Sequence, residues 1–289
     1  MIPDELIEKV KRLEIKTRKL VNTTMSGSYQ SAFKGKGMSF SDLRKYQVGD
    51  DVRSINWKVT ARSDDAYVNL YEEERDLTIL IMVDISGSGI FGSKNMLKKD
   101  LAAEIAAIFG FSAIRNSDNV GLILFSDQIE SYTPPKKGKE HVMRILRDIF
   151  YVTPKSKKTN IGEALGHVMK MMKKRCVIFL ISDFIDSHFQ RPLSICAKKH
   201  DVIPILIEDP LENILPESGI MALQDQETNT IIHVNTSSPQ VQKTYKNIKY
   251  AQKKERDRIF KSTKCDVLEL NTAVPYEKDL NHFFQKRLH

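Results

Sequence analysis

The chain has 289 residues, of which 41% are hydrophobic and 28% charged, with a formal net charge of +8. This length and balance are ordinary for a globular protein and allow one large α/β domain plus an appendage. No apolar run approaches the ~20 residues that a membrane-spanning helix needs, so we expect no membrane span. The three cysteines are scattered and the start of the chain is acidic and amphipathic, unlike a signal peptide. We therefore expect a cytoplasmic protein with reduced thiols.

Residues 1–75 are predicted to form a small N-terminal extension with one helix and one strand. Apolar side chains recur at helical intervals between residues 4 and 20, with charges between them. Residues 21–37 are polar and contain glycine, which predicts a loop, and the alternation over 68–72 predicts a strand.

A charged motif lies between the loop and the strand of this extension. Its candidate contact residues are Arg44, Asp50, Asp51, Arg53, Trp57 and Arg62. They have two interpretations. The charged side chains form an ion-pair network that clamps the extension onto the main domain, with Trp57 as the anchor. Alternatively, the motif is an exposed docking surface for a partner.

Residues 76–289 are predicted to form the main domain. Apolar strands at 77–83, 120–125, 176–182, 202–207 and 267–270 alternate with helical patterns at 97–114, 141–150, 161–174, 192–199, 240–261 and 276–286. Two short apolar runs within 219–234 predict a hairpin insertion. Such alternation predicts a doubly wound, mainly parallel sheet flanked by helices.

The strand at 77–83 stops abruptly at Asp84, and two hydroxyls follow at Ser86 and Ser88. In open α/β sheets, ligands bind beyond the carboxyl ends of the strands. These three side chains offer hard oxygen atoms and neither sulfur nor imidazole, which suits Mg²⁺ or Mn²⁺.

Two later segments add oxygen ligands to this set. Thr159 directly precedes a helical pattern, and the strand at 176–182 is followed by Asp183. Right-handed crossovers place the first strand of the domain beside the strand that ends near Asp183, where the strand order reverses. We therefore expect all five candidate ligands to meet in one crevice.

The order D-x-S-x-S, Thr, Asp resembles the metal-ion-dependent adhesion site of the von Willebrand factor A domain. The resemblance assigns the metal site to five residues: Asp84, Ser86, Ser88, Thr159 and Asp183. It implies that the hydroxyls bind the ion directly and that the aspartates act mostly through bound water. It also implies that the last coordination position belongs to a carboxylate of a partner protein.

The charged motif upstream of Asp84 indicates a more specific family resemblance. A glycine pair, Arg44-x-Tyr46, Gly-Asp-Asp-x-Arg at 49–53, Trp57 and Ala61-Arg62, all upstream of Asp84, resemble the bacterial family called domain of unknown function 58 over about residues 30–210. The chain departs from that pattern at Ser39, Asn56 and Gly89, none of which is a candidate ligand. The resemblance implies an adaptor or client-recognition partner of a MoxR-type AAA+ ATPase in a chaperone-like assembly system.

The net charge of +8 suggests a basic nucleic-acid-binding protein as one alternative, but the charge lies in short clusters at 136–139, 155–158 and 173–175 and not in an arginine-rich tail or an aromatic-interleaved patch. We therefore expect no nucleic-acid partner.

Enzymatic alternatives also have weaker support. A haloacid-dehalogenase-like phosphotransferase needs an acid two residues after its first aspartate, and this chain has Ser86 there. A serine hydrolase needs a base positioned on Ser86 or Ser88, and none of the seven histidines is an obvious partner. We therefore expect no enzyme activity, and we interpret the protein as a metal-dependent module that binds an acidic partner side chain.

Overall fold

The apolar runs form the central strands of a six-stranded sheet in the computed structural model. The structure describes residues 4–21, 38–63, 65–73, 77–90, 92, 96–186, 188–224 and 230–287. The loop expected over 21–37 lies outside these residues, apart from Val21. No helix in these ranges is long and apolar enough to cross a bilayer.

The strands of the structure are β1 (Met38–Lys45), β2 (Tyr67–Glu73), β3 (Thr78–Asp84), β4 (Asn119–Phe125), β5 (Ile129–Lys136), β6 (Val177–Ser182), β7 (Asp201–Glu208), β8 (Ile220–Gln224), β9 (Ile231–Asn235) and β10 (Leu268–Asn271). The α-helices are α1 (Asp4–Leu20), α2 (Trp57–Thr60), α3 (Lys98–Arg115), α4 (Lys139–Tyr151), α5 (Ile161–Met171), α6 (Gln190–Lys199), α7 (Pro239–Thr263) and α8 (Glu277–Arg287). Short 3₁₀ helices cover Val52–Ser54, Gly87–Ile90 and Pro210–Asn213.

The central sheet has the strand order β10-β7-β6-β3-β4-β5. All neighbours are parallel except β5, which pairs antiparallel with β4. The first strand, β3, lies between β4 and β6, so the chain moves outward from β3 in both directions. The strand order therefore reverses at the β3–β6 pair, which confirms the expected neighbour of β3.

Two helical layers cover this sheet because its inner strands are apolar on both faces. In β3, Ile79, Ile81 and Val83 face a layer made of α1, α3, α4 and α8. Leu80 and Met82 face the opposite layer, made of α5, α6 and α7. The observed architecture is thus α/β, with a mostly parallel sheet between two helical layers.

Helix α1 packs into the main core, although the sequence placed it in the extension. Its Val10 and Leu13 are buried in the same cluster as the β3 side chains. Lys9 pairs with Asp100 at 2.6 Å, and further ion pairs link α1 to α3 and α4. Burial of one apolar face of α1 against α3 and α4 explains why this helix forms.

Two further pairs of strands lie outside the central sheet. β1 and β2 pair antiparallel, with a register irregularity between Phe40 and Asp42. β8 and β9 form an antiparallel hairpin between β7 and α7.

Candidate functional site

The carboxylate of Asp84, at the end of β3, is held from both sides. Its Oδ1 accepts a hydrogen bond from the backbone N–H of Ser86 at 3.0 Å. Its Oδ2 accepts a hydrogen bond from the hydroxyl of Ser182, on β6, at 2.7 Å. The reversal of strand order brings these two strand ends together, so the orientation of Asp84 depends on both strands.

Two serine hydroxyls lie in the turn after Asp84. The Oγ atoms of Ser86 and Ser88 are 3.3 Å apart. The hydroxyl of Ser86 also contacts Asp84, and that of Ser88 contacts Asp183. The structure therefore brings these four sequence-predicted ligands into one hydrogen-bonded cluster.

Asp183 follows β6 and is almost completely buried. Its Oδ1 accepts a hydrogen bond from the N–H of Ile185 at 3.2 Å. The intervening Phe184 has a φ of 54°, a left-handed conformation that is uncommon for a bulky residue. Backbone strain of this kind is concentrated at functional sites.

Lys98, at the first position of α3, is a member of the cluster that the sequence analysis did not identify. Its Nζ donates a hydrogen bond of 2.9 Å to Asp183 Oδ2 and also contacts a carboxylate oxygen of Glu212. The lysine side chain is 5% exposed. The sequence held one local signal for Lys98, its position at the start of a helical pattern. A cation there opposes the helix dipole and needs acidic partners.

The two aspartates of the cluster differ in electrostatic environment. Burial, together with the neighbouring charge of Asp183, raises the pKa of Asp84 to about 6. Burial also disfavours the charged form of Asp183, but the Lys98 ammonium outweighs this and holds the pKa of Asp183 below its ordinary value. The cluster thus concentrates negative charge that a cation would stabilise.

Thr159 lies in the loop that joins α4 to α5. The loop is tied to the cluster on one side, where Lys157 O accepts a hydrogen bond from Gly87 N at 3.0 Å. On the other side, Asn160 N donates to Ser126 O at 3.1 Å. Thr159 borders the same cleft as Asp183.

This cleft has a volume of about 550 Å³ and runs from Thr159 and Asp183 toward α7. Its walls carry both signs of charge, including Glu212 and Arg256. Arg256 is fixed by an ion pair of 2.8 Å with Glu208, at the end of β7. The cleft can accept a side chain or a short peptide segment from solvent.

The donor set fits a small hard cation. Within the described ranges, no three His, Cys, Asp or Glu side chains are grouped so as to hold a metal. The cluster instead combines two carboxylates with hydroxyls, and oxygen ligands of both kinds suit Mg²⁺. Adjacent oxygens around octahedral Mg²⁺ are ~3.0 Å apart, from its ~2.1 Å bond length. The Ser86–Ser88 separation of 3.3 Å is close to that spacing.

The charged motif of the N-terminal segment forms its contacts locally. Arg44 pairs with Asp50 at 2.8 Å, and the Asp51 carboxylate accepts from Arg53 N at 2.9 Å. Trp57, the anchor in the ion-pair interpretation, is 65% exposed. Arg53 and Arg62 are also exposed, which leaves the docking-surface interpretation open.

Comparison with known proteins identifies uncharacterised relatives. The chain is 26% identical to the uncharacterized protein Rv1480 of Mycobacterium tuberculosis over 286 residues, which are 98% of this chain and 90% of that protein. It is 27% identical to the uncharacterized protein MAV169 of Mycobacterium avium over 158 residues, which are 53% of this chain and 92% of that protein.

The crystal structure of an aerotolerance-related membrane protein from Bacteroides fragilis is similar in fold. That match has a TM-score of 0.50 and 14% identity, and it covers 73% of this chain and 98% of that one. Residues 42–255 match the family described as "Protein of unknown function DUF58". Because this match spans well over half of its length, the chain belongs to the DUF58 family.

Proposed function

We propose that this protein is a metal-dependent protein-interaction module built on a von Willebrand factor A-like domain. In this proposal Mg²⁺ or Mn²⁺ is held by the five sequence-predicted ligands: Asp84, Ser86, Ser88, Thr159 and Asp183. The bound ion would act as a Lewis acid, and a carboxylate oxygen of an aspartate or glutamate side chain of the partner would coordinate it. The role is binding rather than turnover.

One observation carries this proposal: the hydrogen-bonded cluster formed by Asp84, Ser86, Ser88 and Asp183. Two buried carboxylates placed close together repel one another, and a cation between them relieves that repulsion. If the hydroxyls bind the ion directly and the aspartates act mostly through bound water, as the resemblance implies, the ion keeps enough positive character to attract an incoming carboxylate.

Charge around the site supports an acidic partner. Lys155, Lys157 and Lys158 are exposed in the loop that leads to Thr159. Their positive charges would attract an acidic surface and speed its association at low ionic strength. From the family resemblance, we propose that the partner is a MoxR-type AAA+ ATPase in the cytoplasm, with this protein as its adaptor.

Metal titration tests the site directly. We expect chelator-treated wild-type protein to bind Mn²⁺, measured by electron paramagnetic resonance of the free ion, and Asp84→Ala to bind at least 100-fold more weakly. Asp279→Ala, at an exposed position on α8, is the matched control and keeps the wild-type affinity. Equal affinity of Asp84→Ala and wild type would remove the metal site from the proposal.

Capture of a purified MoxR-type ATPase tests the partner. We expect the immobilised protein to retain the ATPase in Mg²⁺ and to lose it in chelator. Equal capture in both buffers would instead move the interface to the motif at 44–62. Steep salt-dependent binding of arbitrary DNA or RNA, without an effect of chelator, would favour the nucleic-acid alternative.

A further inference from the structure

The ammonium group of Lys98 lies between two acidic side chains that have different positions in the site. Asp183 is a proposed metal ligand, whereas Glu212 lies in the 3₁₀ helix after β7. Lys98 and Asp183 are both almost completely buried, and Glu212 is largely so. The lysine is thus a positive charge fixed inside the cluster that is proposed to receive a divalent cation.

Glu212 is held in place independently of Lys98. One of its carboxylate oxygens, Oε2, accepts a hydrogen bond from Asp209 N at 3.2 Å, and its other oxygen, Oε1, contacts the lysine. Its backbone oxygen accepts a hydrogen bond from Tyr245 at 2.7 Å. Glu212 can therefore keep its ion pair with the Lys98 ammonium group when the Asp183 carboxylate binds another cation.

Asp183 and Glu212 are the groups that stabilise the charge of Lys98 at this position. The lysine is buried, which is costly for an ammonium group, and it begins α3, where the helix dipole is positive. A cation approaching Asp183 meets the same carboxylate oxygens and is repelled by Lys98 at short range.

We propose that Lys98 is an internal competitor of the metal ion for Asp183, and that Glu212 retains the lysine when the metal binds. This inference rests on the metal site of the proposed function. It gives the two residues opposite effects, since removing the ammonium charge strengthens metal binding and removing the Glu212 charge leaves Lys98 with Asp183 alone.

The test is Mn²⁺ titration of chelator-treated variants of the full chain. We expect Lys98→Met to bind at least tenfold more tightly than wild type and Glu212→Gln to bind at least fivefold more weakly. Lys99→Met is the matched control, because Lys99 donates to Phe150 O at 3.2 Å and lies outside the cluster. Its affinity should stay within twofold of wild type.

Circular dichroism and thermal unfolding establish that each variant is folded before titration. If Lys98→Met does not fold, Lys98→Gln removes the same charge and keeps a hydrogen-bond donor, with the same expected direction. An unchanged affinity in the lysine variant, or tighter binding by Glu212→Gln, overturns the inference while leaving the metal site intact. Absence of binding by wild type, Lys98→Met and Lys98→Gln overturns both proposals, whereas binding by a lysine variant alone supports the competition.

Discussion

The hydroxyl of Ser182 donates a 2.7 Å hydrogen bond to Asp84 Oδ2 across the boundary between β6 and β3. Ser182 Oγ itself accepts a hydrogen bond of 3.0 Å from Phe184 N, in the turn that follows Asp183. Ser182 thus connects the orientation of one aspartate to the backbone beside the other. It was absent from the sequence-predicted ligand set, and its role is to position Asp84.

Replacing Ser182 tests this positioning. In Ser182→Ala, Asp84 Oδ2 loses a donor and the Phe184 N–H loses its acceptor. We expect Mn²⁺ affinity to fall about fivefold and the free energy of unfolding to fall by about 1 kcal/mol. Ser194→Ala on α6 is the control and should change neither quantity. Wild-type Mn²⁺ affinity in Ser182→Ala would show that Asp84 is oriented without Ser182.

Glu130 secures the loop that carries Thr159. Its Oε1 accepts hydrogen bonds from Ser126 Oγ at 2.6 Å, Lys155 N at 3.0 Å and Ser156 N at 3.3 Å. We expect Glu130→Ala to raise the rate of tryptic cleavage after the lysines at 155–158 several-fold, because proteolysis requires local opening. Glu130→Gln retains an acceptor and should cause a smaller increase. Equal cleavage rates for wild type and Glu130→Ala would contradict this role.

Asn160 is the N-cap of α5. Its side-chain oxygen accepts a hydrogen bond from Glu163 N at 2.9 Å. We expect Asn160→Ala to lower the free energy of unfolding by about 1 kcal/mol, and Asn160→Asp, which preserves the cap, to cause little change. Urea unfolding monitored by circular dichroism measures both. A loss of similar size in the two variants would point to a different cause.

His200 gives the fold a defined pH dependence. Burial, with the charges of Lys199 and Arg175, lowers the pKa of His200 to about 4. The unfolded chain gains a proton at about pH 6.5, whereas folded His200 stays neutral until far lower pH. The His200 contribution to stability is therefore complete above pH 6.5 and is lost progressively as the pH falls toward 4.

Urea unfolding at a series of pH values isolates this contribution. We expect His200→Gln to show a shallower fall in the free energy of unfolding between pH 6.5 and 4 than wild type. His282→Gln, at an exposed position on α8, should keep the wild-type slope. An identical pH profile for His200→Gln and wild type would exclude His200 as the source.

The inner strands and most helices could be predicted because their apolar patterns are local. The sequence also indicated the family correctly from the charged motif and the segments after it. It missed β5, which contains Pro134 and Pro135, residues that normally argue against a strand. As an edge strand, β5 tolerates them, and Gly121 on β4 leaves room for Pro135, since a Cβ there would lie 2.9 Å from its ring.

Two further differences between the predicted and the observed elements have local causes. The helical pattern in the sequence predicts a helix to residue 174, but α5 ends at Met171, before the charged residues at 173–175. β1 was not predicted, because its pairing with β2 is interrupted between Phe40 and Asp42 and its alternation is therefore irregular.

The candidate site could be predicted only in part. Asp84, Ser86 and Ser88 form one motif, and strand-order rules indicated that Asp183 would join them. Lys98 and Glu212 could not be found in the same way, because their pairing connects a helix start to a 3₁₀ helix 114 positions later along the chain. Nothing in either local segment specifies the other.

The distance along the chain between Asp84 and Ser182 has a consequence for biosynthesis. The two residues are 98 positions apart, and they meet only after β6 has been made and has paired with β3. A nascent chain emerging from the ribosome therefore displays the first aspartate long before its counterpart exists. The proposed cation site can therefore form only once translation has passed the middle of the molecule, when both strand ends are present.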